Sequence, residues 1–331
     1  MFIFKHLLER NLKINLYSHY IEPKPIVQKM TSNADLAELM KKNKADIAKN
    51  TLRTYASLLR NLYYNSTGKP KEEAIDMSWY HDEDTVLKAL ENKPAGVRKT
   101  ILAGLMALVG KEGSAKYRKQ MMDDRDEYDE WVKKQEMSDR QKQNWKTFDE
   151  VSRVVQEYEA RARKIMNDGT ILPSERRILV DWMILALTTG YYFPPRRSMD
   201  YFLMKFREFD KKEDNFLDKN TFVFNKYKTA KTYNQQSMEI PKSFRPLLNK
   251  YIKTIPDGVN TLLYDAHGNE MYAVKITQRL NSIFGAKVSV SMLRHIFLTS
   301  KLGDVPPLKQ LEELAENMGH SVSQQLEYIK R

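Results

Sequence analysis

Apolar positions recur along this chain in two rhythms, and the change between them divides it. From Asn33 to Lys49, Leu36, Leu39 and Met40 fall at helical spacing among many lysines. Asn50-Thr51 offers a cap for a second helix, Leu52 to Tyr64, with one stripe of Leu52, Tyr55, Leu58, Leu59 and Leu62. Pro94 precedes a third, whose buried face is Ile101, Leu102, Leu105, Met106 and Leu108, with Gly110 as its stop. Ser114 to Glu136 is highly charged and reads as a solvated helix. Residues 137–144 contain almost nothing apolar and are read as a linker. Trp145 opens a new amphipathic run with Val151, Val154, Val155 and Tyr158. After Pro173-Ser174 comes a helix apolar nearly all round, from Ile178 to Leu187, which predicts a fully buried core element.

Beyond Asp200 the period shortens. Lys205–Phe209, Thr221–Asn225 and Ser237–Pro241 alternate like short strands and predict a small antiparallel sheet with Lys228 in its turn region. Helical spacing returns at Leu247–Ile255, Val274–Phe284, Ser291–Leu302, Leu308–Met318 and Ser323–Lys330, with Gly285 and Gly303 at helix ends. The expected fold is mainly α with a small antiparallel β-sheet. Its organisation is an extension over 1–30, a helical domain over 31–136, the linker 137–144 and an α+β domain over 145–331.

The 331 residues include 55 Lys and Arg against 43 Asp and Glu, a net charge of +12, which draws the chain toward polyanions and first toward nucleic acid. Cysteine is absent, which removes disulfides, thiolate catalysis and cysteine zinc sites and fits an intracellular setting. The six histidines form no metal-ligand pattern, so no metal or other cofactor is expected. No stretch reads as a secretory signal or a membrane span.

Candidate chemistry then follows from order. Pro194-Pro195-Arg196-Arg197 leads to Asp200, a basic turn holds Lys226, Lys228 and Lys231, Ser291, Arg294 and His295 share one helix face, and His320 and Tyr328 come last. Phosphoryl transfer to a tyrosine needs cations on the non-bridging oxygens, which arginine forks supply, and a proton donor at the leaving oxygen, which a lysine can be. The same cations would favour the phenolate of a tyrosine whose ordinary pKa is about 10. Asp200, one helical turn from Arg197, is expected to hold that guanidinium in aim, with Arg196 its rival for the role. Singly, each residue also has an ordinary reading: a surface ion pair, a solvated hairpin, a structural salt bridge, a structural histidine or a packing tyrosine.

Together these residues resemble the boxes of the tyrosine recombinases, the phage-type integrases. Thr189-Gly190 with Arg197 and Asp200 matches the first box across a longer aromatic-Pro-Pro insertion. Lys228-Thr229-Ala230-Lys231 is similar to the hairpin lysine turn, Ser291-Met292-Leu293-Arg294-His295-Ile296-Phe297-Leu298-Thr299 to the second box, and Met318-Gly319-His320-Ser321 with Tyr328 to the third. The Pro-Pro-Arg-Arg form is closest in style to recombinases of eukaryotic DNA viruses, virophages and large transposons. The match runs from about Trp145 to Arg331. Thr51-Leu52-Arg53-Thr54-Tyr55 alone makes 31–136 look like the family's core-binding domain. The resemblance implies a phosphate clamp of Arg197 and Arg294, Lys228 as general acid, His320 assisting the phosphate, and Tyr328 as nucleophile forming a 3′-phosphotyrosine. Arg53, Arg60, Lys226 and Lys231 are the candidate DNA contacts.

This chain departs from the pattern where Ser291 replaces the second-box histidine, a role His295 one turn on would partly take. The interval from His320 to Tyr328 is also one residue short of the commoner spacing, and relatives often carry a tail beyond the nucleophile. The implied partner is double-stranded DNA held between the two domains. The chain would be a homo-tetramer on paired sites and a monomer when free, acting in a host nucleus or viral replication compartment. The expected function is site-specific recombination or integration. Alternatives are a type IB topoisomerase, a catalytically decayed DNA-binding protein on the same fold, and a helical scaffold for acidic partners.

Overall fold

The computed structural model describes residues 32–317, apart from 169 and 304, together with residue 322. The chain divides into two compact units, 1–134 and 135–331. The described residues are mainly helical, with one three-stranded antiparallel sheet. Among them no helix is long and apolar enough to cross a membrane. The expected extension 1–30, the expected helix 323–330, and the candidates His320 and Tyr328 lie outside the described residues.

The first unit is built from α1 (Asn33–Asn43), α2 (Lys49–Thr67), a 3-10 turn at Met77–His81, α3 (Glu83–Leu90), α4 (Ala95–Val109) and α5 (Ala115–Lys133). Ser32 and Asp35 cap α1 reciprocally. The cap expected at Asn50-Thr51 is not used, because α2 begins earlier, behind Ala48. Leu36, Met40, Leu59, Leu102 and Leu105 form a dry core. Two buried tyrosines tie it: Tyr80 donates to the Leu59 carbonyl (2.9 Å) and Tyr117 to that of Tyr80 (2.8 Å). Burial pushes both phenols well above the usual tyrosine range. The charged α5 is anchored by Asp124, which takes Nε (3.0 Å) and Nη2 (2.6 Å) of Arg98 on α4.

The second unit opens with α6 (Asp139–Asn144), inside the segment expected to be a linker. Ser138 and Gln141 cap this helix, and Asn144 accepts the Lys287 amide at 2.8 Å. Polar sequence here marks a surface helix pinned to the second unit, and the division falls at 134/135 instead. Then come α7 (Phe148–Asn167) and α8 (Pro173–Thr188), of which α8 is the expected core helix: Leu179 to Thr188 are all buried. Asp181 in that run is matched by Arg279 of α12 (Ala273–Phe284), bonded through both guanidinium arms. Burial nevertheless raises the Asp181 pKa, with Arg279 opposing the rise.

The sheet is β1 (Phe216–Asp218), β2 (Thr221–Phe224) and β3 (Gln236–Glu239), in that order. The last two strands fall where alternation predicted them, and the first does not. Lys205–Phe209 contributes only isolated bridges from Lys205 to Phe216 and Thr261. Its pairing stops where Arg207 turns onto the carbonyls of Pro256 (2.5 Å) and Val259 (2.9 Å) and Glu208 takes a φ of 50°. The remaining helices are α9 (Ser198–Phe202), α10 (Ala230–Tyr233), α11 (Arg245–Thr254), α13 (Val290–Leu302) and α14 (Leu308–Asn317).

Candidate active site

The local chain path explains how two arginines nearly a hundred residues apart in sequence come together. At the end of α8, Thr188 and Thr189 turn their hydroxyls back onto the carbonyls of Ile184 (2.6 Å) and Leu185 (2.7 Å). Gly190 then takes a φ of +88° with its α-carbon against the ring of Phe297 on α13. A side chain there would be strained and would overlap that ring. The turn after α8 is therefore fitted to the helix that carries Arg294, one turn before Phe297. Phe193, 5% exposed, is packed by Phe222 and Phe244, and each of the two prolines that follow favours an extended residue before it. Arg196 and Arg197 leave this anchor immediately before α9.

The two adjacent arginines have different jobs. Arg196 is committed to structure: its Nε bonds Asp200 Oδ2 at 2.7 Å and its Nη2 bonds Gln236 Oε1 of β3 at 3.0 Å. Its guanidinium also lies 4.1 Å from the Phe224 ring centroid and 5.3 Å from that of Tyr227. Sequence spacing assigned Asp200 to Arg197. The geometry corrects this, because Arg197 is the N-cap of α9 and its carbonyl, not its guanidinium, meets Asp200, accepting that residue's amide at 3.0 Å. The guanidinium of Arg197 is exposed and makes no hydrogen bond or ion pair among the described residues.

Arg294 is half-buried on α13 and equally uncommitted among the described residues. Its surroundings are electrostatic: burial first, then the charge of Arg197, lower its pKa, with Asp200 opposing and Arg196 adding. The same set acts on Asp200, whose pKa burial raises against the pull of Arg196, Arg197 and Arg294. Three guanidinium groups thus act on one carboxylate, one in contact and two through their charge, an excess of two positive charges. The second oxygen of that carboxylate is buried without a hydrogen bond among the described residues. Such an excess is what an incoming anion would relieve. Ser291 and His295 are exposed on the Arg294 helix.

Lys228 is exposed in the long connection between β2 and β3. Sequence reading missed what holds this connection, namely Asn215. Its side-chain amide donates to the carbonyls of Asp200 (3.0 Å) and Lys226 (2.8 Å), and its oxygen accepts the amides of Asn225 (2.8 Å) and Lys226 (2.7 Å). One buried asparagine therefore ties the lysine loop to α9. Its only sequence signal is a polar residue directly before the apolar pair Phe216-Leu217.

The candidate DNA contacts fare unequally. Arg53 and Lys231 are exposed, and Lys226 is 3.8 Å from Glu213. Arg60 is turned to local packing, with Nη2 on the Lys71 carbonyl (2.9 Å) and its guanidinium over Tyr64. Comparison of the chain with protein-family models, curated proteins and solved structures found no match.

Proposed function

We propose that the second unit binds a DNA phosphodiester between Arg197 and Arg294 and cleaves and rejoins the strand through Tyr328, as a site-specific recombinase or integrase would. The observation that carries this reading is that Arg197 and Arg294 feel each other's charge and that of a single buried carboxylate, while neither guanidinium is bonded to any group among the described residues. Two forks from separate segments can each engage non-bridging oxygens of one phosphate and stabilise the charge that grows on it in the transition state. Lys228, on a loop tied to the same α9, is the candidate acid for the leaving 5′-oxygen. In this reading Tyr328 attacks phosphorus, the 5′-oxygen leaves with a proton, and a 3′-phosphotyrosine holds the strand until the reverse attack restores it.

A second reading is a DNA-binding protein without cleavage activity, favoured by Ser291 at the position where a histidine would assist the phosphate. A nicked suicide duplex resolved on a denaturing gel decides between them. A covalent adduct lost in Tyr328→Phe supports cleavage. DNA binding without any adduct in the unaltered protein supports the second reading. Relaxation of supercoils by monomers without paired sites would instead identify a type IB topoisomerase.

A further inference from the structure

A second site lies at the other end of α8. That helix has 16 residues, so at roughly 1.5 Å each its N-terminus stands about 24 Å from the turn that leads to Arg197. Around its first turns opens a cavity of about 920 Å³, lined by Ser174, Arg176, Arg177, Val180, Tyr264 and Met271 among others. Its volume is at the upper end of ordinary small-ligand sites, roughly 300–1,000 Å³.

Donors converge on this space. Pro173 begins the helix, so Ser174 brings one of the amide groups that an α-helix leaves without an internal acceptor, at the positive end of its dipole. Tyr264 is only 4% exposed, and its hydroxyl finds no acceptor among the described residues. Nη1 of Arg176 is likewise buried without an acceptor among the described residues. The two groups face each other: the charge of Arg176 and its N–H toward the phenol oxygen oppose the rise that burial imposes on Tyr264, and because arginine only donates, the Tyr264 O–H is still left without an acceptor. Two other cations of the cavity are already answered, Arg279 by Asp181 and Lys275 by Asp265 at 2.5 Å, and the remaining carboxylate of the lining, Asp257, is turned fully into solvent. Arg176 and Arg177 form no ion pair among the described residues. Buried donors left unsatisfied in a roomy cavity call for an acceptor, because each costs free energy while unpaired.

We propose that this cavity binds a small organic phosphate, its phosphoryl group on Ser174, Arg176 and Arg177 and its apolar body on Val180, Val259 and Met271. A helix N-terminus with two arginine forks suits a tetrahedral dianion. The apolar wall rewards a ligand that carries hydrocarbon as well as charge. A duplex fits less well, because the Tyr264 hydroxyl and Arg176 Nη1 lie below the surface that a DNA backbone could follow.

Titration of the full chain with phenyl phosphate, followed by calorimetry and by ligand-observed NMR, tests this. Saturable one-to-one binding is expected, tighter than that of inorganic phosphate or phenol. Affinity should fall about tenfold or more in Arg176→Gln, the scale of a lost charge-assisted hydrogen bond. Should Arg176→Gln fail to fold, Ser174→Glu serves, since an acid in the first turn favours the helix while repelling the phosphate. Arg294→Gln should retain this binding and its dependence on Arg176 and Ser174, losing only what phenyl phosphate binds at the proposed clamp, which separates the two sites. The proposal is overturned by an absence of saturable binding, by inorganic phosphate binding as tightly, or by indifference to Arg176→Gln and Ser174→Glu. A short duplex that displaces phenyl phosphate and itself weakens in Ser174→Glu would also overturn it, and would make the cavity a contact for a DNA phosphate.

Discussion

Asn215→Ala is the substitution whose consequence can be worked most fully. The side chain is 2% exposed and satisfies four backbone groups: the carbonyls of Asp200 and Lys226 and the amides of Asn225 and Lys226. Each net hydrogen bond is worth about 0.5–1.5 kcal/mol, and a buried group left unpaired costs about 1–3 kcal/mol. Water entering the space left by the side chain would re-satisfy some of the four. A loss of about 3 kcal/mol is therefore expected, roughly a hundredfold in the folding equilibrium.

The loss should be local as well as global. Asn225 and Lys226 begin the loop that carries Lys228, so their amides should exchange with solvent faster by hydrogen-exchange mass spectrometry, while the amides of α8 change little. Denaturant titration should show the shift in the transition of the second unit, reported by the buried Trp182. A shift below about 0.5 kcal/mol, within the range of ordinary surface substitutions, would refute the reasoning if protection at 225–226 were also unchanged. Asn215 would then not be what fastens the loop to α9.

Other expectations follow from the same geometry. Gly190→Ala forces a methyl into the Phe297 ring at a φ of +88°, so it should destabilise by about 2 kcal/mol or more in thermal or urea unfolding. Arg294→Gln removes one of three crowded guanidinium groups, so stability should hold or rise slightly while DNA adduct formation falls about a hundredfold or more. Arg196→Gln should do the reverse first, lowering the unfolding midpoint by breaking the contacts with Asp200, Gln236, Phe224 and Tyr227. The Asp265 carboxyl is held well below the usual carboxylate range, first by Lys275 and then by the amides of Asn269 and His267. Its contribution is complete above its unfolded pKa of about 3.9 and is lost as pH falls through the lower folded value. Lys275→Met should therefore move the acid-unfolding midpoint to higher pH, measured by circular dichroism.

What the sequence disclosed and what it hid divide along physical lines. The stripe Leu52-Leu59-Leu62 and the run Leu179–Leu187 were legible because burial writes a period into the residues themselves. Asp139–Asn144 was hidden because a polar surface helix leaves no period, and capping by Ser138 and Gln141 holds it instead of a greasy face. Lys205–Phe209 alternates like a strand, yet strand pairing depends on a partner across space, and the carbonyls of Pro256 and Val259 claim Arg207 first. Asn215 was invisible for the same reason: its four partners are set by the fold, not by its neighbours in sequence.

The pair Arg196-Arg197 shows where spacing misleads even when composition is right. Asp200 lies at i+3 from one arginine and i+4 from the other, and both separations bring helical side chains together. The helix, however, begins at Ser198, so Arg197 is its N-cap and neither arginine is inside it. From that extended start the guanidinium of Arg196 reaches Asp200 and continues to Gln236, while that of Arg197 stays in solvent. The commitment of Arg196 leaves its neighbour unbonded among the described residues. A fully paired Arg197 would be an ordinary surface cation. An Arg197 without a pair among the described residues, within the field of Arg294 and of an acid already claimed, is what the proposed phosphate clamp requires.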